Sequence, residues 1–140
     1  MKLISILSVA VAAALLLAWK ETESTESTDS ASAAEVERGK YLVHDVALCV
    51  QCHSPRDGKG QLKADRLLSG GQIPFKTPWK ARWAELAPNL KQLLGYTDEQ
   101  AMTLLTKGFK RNGEAPRGPM PPFRMKDEDA KAVIAYLRSL

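Results

Sequence analysis

The stretch CVQCH, residues 49–53, holds both cysteines of the chain and one of its two histidines. Cysteines at i and i+3 on a helical turn lie on the same side, and an imidazole follows at once. Whatever the chain folds into must let these three side chains meet one partner. The rest of the sequence offers little to fold around by itself. Residues 34–53 read as one helix, with Val36, Leu42, Val43, Val46 and Ala47 on its apolar face. Thr97 followed by Gln100 is a capping-box pattern, Ala101, Leu104 and Leu105 share a face, and Gly108 suits the helix end. Near the C-terminus, acidic residues crowd a first turn, where they suit the helix dipole. Ala130, Val133, Ile134 and Leu137 then form an i, i+3, i+4, i+7 stripe.

Between these helices lie long Gly- and Pro-marked segments, residues 54–86 and 109–125. A short helix is expected near residues 79–86, and no strand pattern is convincing. The expected fold class is all-α: three to five short helices joined by long loops. Helices under about 12–15 residues are marginal alone, so a domain of this kind needs something else to pack around.

C-x-x-C-H is the attachment signature of c-type haem. Cys49 and Cys52 would each add to one porphyrin vinyl group. His53, carried under the ring, would be the proximal iron ligand. Two other readings compete for the thiols. A redox disulfide pair normally sits at a strand-to-helix junction of an α/β pattern, which is absent here. A zinc site needs a second pair of ligands, and only His44 remains. Haem c, one per chain and covalently bound, is therefore the expected cofactor.

A six-coordinate iron needs a second axial ligand from the remaining His and Met residues. His44 is nine residues before His53; on one shared helix it would not reach the opposite ring face. Met102 lies inside an amphipathic helix, and Met125 at the mouth of the last helix suits core packing. Met120 lies in GPMPPF, where Pro121 and Pro122 stiffen the segment, and is the expected ligand. A His53/Met120 pair implies a comparatively high potential. It leaves no open iron position, so a gas sensor or peroxidase is the weaker alternative and no catalytic residue is assigned.

On RGKYLV…CVQCH, APNL, GPMPPFRM and the final VIAYLRSL, residues 35–140 resemble the class I c-type cytochromes. They are particularly similar to bacterial single-haem domains found alone or as electron-accepting subunits beside dehydrogenases. The resemblance implies the cytochrome c fold, wrapped around one covalent haem, with an electron-transfer function. It implies that the first and last helices cross, with Gly39 making room for a side chain such as Tyr136. It also implies that the Pro88 carbonyl accepts a hydrogen bond from His53. Pro88 follows His53 by 35 residues, against about a dozen in the shortest members. The insert, 54–87, is expected to fold over one haem edge. The roles of Phe75, Trp79, Arg82 and Trp83 within it stay open, with core packing favoured for the aromatics.

The N-terminus bounds the setting. Residues 3–19 are apolar or small after Met1 and Lys2, and as a helix would span about 26 Å. A cleaved signal peptide and a retained anchor, residues 1–19, are both consistent with that. Trp19 stands where a lipid-bearing cysteine would end a lipoprotein leader. Residues 20–34, rich in Ser, Thr and Glu, read as a flexible tether. The expected location is the periplasm or the outer face of the cytoplasmic membrane. Residues 34–140 carry 18 Lys and Arg against 12 Asp and Glu, a balance of +6. The cations are scattered, with no basic helix or zinc-finger spacing, which argues against nucleic acid. Acidic redox proteins, a dehydrogenase or oxidase, are the expected partners, with no small-molecule substrate.

Overall fold

The computed structural model describes residues 31–140. The leader, 1–19, and most of the tether lie outside the described residues. The first helix, α1, spans Ala33–Tyr41, because the Ser32 side chain accepts the Glu35 N–H at 3.2 Å. Ala33 and Ala34, expected in the tether, are its first residues.

The single helix expected over 34–53 is instead three pieces. After α1 the backbone widens into a π-helical turn, Leu42–Val46, closed by the Ala47 N–H on the Leu42 carbonyl at 2.8 Å. Leu48 then adopts a left-handed conformation, φ 52° and ψ 35°, and α2 restarts at Cys49–His53. A leucine there costs about 1–2 kcal/mol. No Gly, Pro or Asn marks the break in sequence. Its effect is to re-aim the CVQCH turn so that Val50 and His53 are buried.

The other two helices follow their sequence signals. In α3, Asp98–Lys107, the Thr97/Gln100 capping box forms and Gly108 ends the helix at φ 71°. In α4, Asp127–Arg138, residues Ala130, Ala132, Val133, Ile134, Tyr136 and Leu137 are buried. They form one core with Leu42, Val43, Val50, Leu68, Ala101 and Leu105.

Helices α1 and α4 meet at Gly39. A Cβ there would lie 2.6 Å from the Ala132 carbonyl carbon and 2.7 Å from Tyr136 Cβ, so only glycine lets the backbones approach this closely. Arg38 bridges the same pair of helices to Asp129 at 2.8 Å. At the far end of α4, Arg138 binds Asp98 through Nη2 and Nε, and the carbonyls of Tyr96 (2.7 Å) and Gln92.

The long segment after His53 departs from the expected loop-and-helix. Residues 79–86 are not helical. Instead β1, Gly71–Gln72, pairs antiparallel with β2, Leu86–Ala87. Two-residue strands are too short to show an alternation, which is why the sequence carries no strand pattern there. The all-α class stands, with this hairpin base as its one small sheet among the described residues.

Candidate functional site

The α2 turn carries the three reactive side chains. Cys49 and Cys52 are free thiols, each partly buried, while His53 is only 7% exposed. Its Nδ1 lies 2.8 Å from the Pro88 carbonyl oxygen. With Nδ1–H donating to that carbonyl, the ring orientation is fixed and Nε2 is the nitrogen free to ligate. Nε2 makes no hydrogen bond among the described residues. Burial pushes the His53 pKa down, against the Pro88 hydrogen bond that pushes it up. The outcome favours the neutral ring, which is the metal-binding form.

The segment that follows locks this arrangement. The Gly70 N–H donates to the His53 carbonyl at 2.8 Å, and the Leu68 N–H to the buried Ser54 hydroxyl at 2.9 Å. The Leu90 N–H donates to Leu68 at 2.9 Å, which draws Pro88 toward the histidine. Gly70 is in a left-handed conformation, φ 84°, and a Cβ on it would sit 2.9 Å from the Ala87 carbonyl oxygen. Arg56 braces α2 from outside, donating to the Gln51 carbonyl at 3.0 Å and to Gly60 at 2.8 Å.

The methionines divide by their surroundings. Met102 and Met125 pack against the core cluster, as expected. Met120 is partly buried, lies outside that cluster, and sits on a tight turn closed by its own N–H on the Arg117 carbonyl at 3.2 Å. His44 is not on the helix of His53, contrary to the expectation. Its Nε2 lies 2.8 Å from the Tyr136 hydroxyl, with the rings edge to face, so its role is tertiary packing.

The thiols discriminate between the competing chemistries. Burial pushes the Cys49 thiol up to about 11, helped by neighbouring Cys52 and opposed by a backbone hydrogen bond. A redox Cys-x-x-Cys needs a lowered value. No group of three or more His, Cys, Asp and Glu that could close a metal site occurs among the described residues. Two thiols on one turn, followed by a buried histidine with one nitrogen occupied and the other free, is the donor set haem c requires.

The sequence model of the cytochrome c family matches residues 36–140. The chain belongs to the cytochrome c family. A cytochrome c domain implies haem c, and Cys49, Cys52 and His53 fit its attachment. The chain is 32% identical over 118 residues to a diheme cytochrome c-type protein of Cereibacter sphaeroides, covering 76% of this chain and 36% of that one. It is 29% identical over 116 residues to a nicotinate dehydrogenase subunit of Pseudomonas putida, covering 77% of this chain and 9% of that one. It is also 29% identical over 109 residues to the fructose dehydrogenase cytochrome subunit of Gluconobacter japonicus, covering 74% and 21%. This chain thus spans about a third or less of the length of these relatives.

Three contributors to the cytochrome c site escaped the sequence reading. Ser54 and the Gly70–Gly71 pair knit the insert to the histidine; the glycines marked the segment as loop, but their partner was not legible. Trp83 of the insert lies against Gly118, two residues before Met120: the two residues form a parallel bridge, and the Ala84 N–H donates to the Gly118 carbonyl at 2.7 Å. That contact joins segments far apart in sequence and leaves no periodicity to find.

Proposed function

We propose that this protein is an electron-transfer cytochrome c holding one haem, covalently bound through Cys49 and Cys52. His53 is the proximal ligand, oriented by Pro88, and Met120 is the second axial ligand. A haem so held supplies reversible one-electron exchange between Fe(III) and Fe(II). The observation that carries the reading is the buried His53 on the thiol-bearing turn, its Nδ1 at 2.8 Å from Pro88. The chain's residues do the rest. The Pro88 carbonyl keeps Nε2 unprotonated and correctly aimed. Met120 stands free of the core, and its thioether favours the reduced state relative to a second imidazole. With both positions taken, the protein carries electrons and has no substrate of its own.

The balance of +6 over residues 34–140 suits acidic redox partners, with Lys76, Lys80 and Arg82 exposed on the insert. The apolar leader and polar tether support export to the periplasm or the outer face of the cytoplasmic membrane, anchored or released. A second reading changes the partner and not the chemistry: the protein serves as the cytochrome subunit of a larger dehydrogenase. Two relatives named as dehydrogenase subunits favour it.

A visible spectrum of purified protein tests the reading. Sharp reduced c-type bands, a weak red Met-to-Fe(III) band and indifference to carbon monoxide are expected. A high-spin ferric spectrum would instead favour gas or peroxide binding. Met120→Ala should abolish the red band and Met125→Ala should keep it; the reverse pattern overturns the ligand assignment. Haem should survive boiling in detergent, and be lost in the Cys49→Ala, Cys52→Ala double variant. Co-purification with a dehydrogenase would establish the second reading.

A further inference from the structure

We propose that Trp83 is a positioning residue for Met120, and that the insert hairpin, residues 71–87, is a brace across both ligand-bearing segments. The proposal rests on the reading of Met120 as ligand. At its base the hairpin is pinned to the proximal side. Gly70 donates to the His53 carbonyl, and Ala87, paired with Gly71, leads directly into Pro88. Farther out, the Ile73 N–H donates to Glu85 at 2.9 Å and Ile73 is buried, which keeps the two arms together. The hairpin then reaches the methionine segment.

There the contact is close. A Cβ on Gly118 would lie 2.9 Å from Trp83 Cε3 and Cζ3, so the indole occupies the space a side chain would need. The Ala84 N–H holds the Gly118 carbonyl at 2.7 Å. Trp83 is itself fixed: its Nε1–H donates to the Phe75 carbonyl at 3.2 Å, and the Phe75 ring meets it edge to face at 5.9 Å. Gly118 leads through Pro119 into Met120, whose N–H closes the same turn on Arg117.

The physical need is plain. Met102 and Met125 are placed by the core; Met120 is not. Prolines stiffen its segment locally, but local stiffness does not set where the turn sits relative to His53. Trp83 and Ala84 supply that tertiary reference. Trp79, 77% exposed on the same hairpin, takes no part and serves as the control.

The test uses the haem-loaded protein. Trp83→Ala, Trp83→Phe, Gly118→Ala, Trp79→Ala and Met120→Ala are compared by the red Met-to-Fe(III) band on heating, by far-ultraviolet circular dichroism, and by carbon monoxide binding to the reduced form. In Trp83→Ala and Gly118→Ala the red band should fade well before the helices melt. Carbon monoxide, which leaves the parent's spectrum unchanged on brief exposure, should bind the reduced variants roughly ten-fold faster than the parent's slow uptake, about the factor expected when a hydrogen bond and its contact no longer hold the turn closed. Trp83→Phe, which keeps an aromatic ring at Gly118, should lie between, and Trp79→Ala should match the parent. If the band and the helices are lost together in both Trp83 variants, with unchanged carbon monoxide kinetics, Trp83 is ordinary packing and the proposal fails. A red band that persists in Met120→Ala is a different failure: it removes the ligand reading on which the brace depends.

Discussion

The Tyr136 hydroxyl and His44 Nε2 are 2.8 Å apart, joining the last helix to the π-helical turn just before the thiol-bearing segment. Burial raises the Tyr136 pKa, with Lys40 pulling it partly back. The folded state therefore holds the phenol proton more tightly than the unfolded chain. That contribution is complete below the unfolded value of about 10 and is lost as pH climbs through the folded value. Tyr136→Phe should lower stability by about 1 kcal/mol near neutrality, the net worth of one hydrogen bond. Above pH of about 10 the gap between parent and variant should narrow. Denaturant titrations at several pH values measure it; a gap that widens contradicts the assignment.

Gly39→Ala should be among the most damaging single-methyl changes in the domain. The added carbon meets the Ala132 backbone, which no rotamer change relieves, so a loss of about 3 kcal/mol or more is expected. Thermal unfolding of haem-loaded protein should show it, and Gly58→Ala, with nothing near its Cβ position, should be close to neutral.

Arg138→Gln removes the ion pair with Asp98 and weakens the hold on the Tyr96 and Gln92 carbonyls. The guanidinium is partly exposed, 37% by side chain, so solvent screening limits the loss to about 1 kcal/mol. Amide exchange should quicken at residues 92–98 before it quickens in α1.

Met125→Ala should cost about 2 kcal/mol, at the low end for a partly buried methionine, without moving the reduction potential. Met120→Ala should do the opposite, lowering the potential while leaving the core intact. Voltammetry and denaturation on the same samples separate the two.

Charge sets the kinetics. Oxidation of the reduced protein by an anionic complex such as ferricyanide should slow as salt rises from about 0.01 M to about 0.15 M, because the screening length shrinks from about 30 Å to about 8 Å. A cationic oxidant of similar driving force should show the reverse trend. Equal salt dependence for both would dismiss electrostatic steering.

Much of the fold is written in local sequence. The Thr97/Gln100 capping box and the α4 stripe each follow from rules that act within a few residues, whereas the role of Gly39 came through the family resemblance. The CVQCH turn is legible too, its residue types and spacing pointing to haem attachment once the missing α/β pattern and the single remaining histidine are weighed. What the chain did not announce is tertiary. Leu48 turns left-handed because the fold must re-aim the next turn, with no residue there that favours it. His44 leaves the His53 helix for the same reason. The β1/β2 pair and the Trp83–Gly118 contact join residues whose proximity depends on the closed fold, so neither propensity nor periodicity carries a trace of them.

The hairpin leaves and rejoins the chain at one point, where Gly71 faces Ala87 and Gly70 donates to His53. The length of its tip is thereby uncoupled from the redox centre. Residues 76–82, between Phe75 and Trp83, form a cassette: descendants could lengthen it, trim it or redecorate Trp79 and its neighbouring lysines for a new acceptor, while the imidazole kept its carbonyl. The outer end of the insert can thus vary while the imidazole and its carbonyl stay in register.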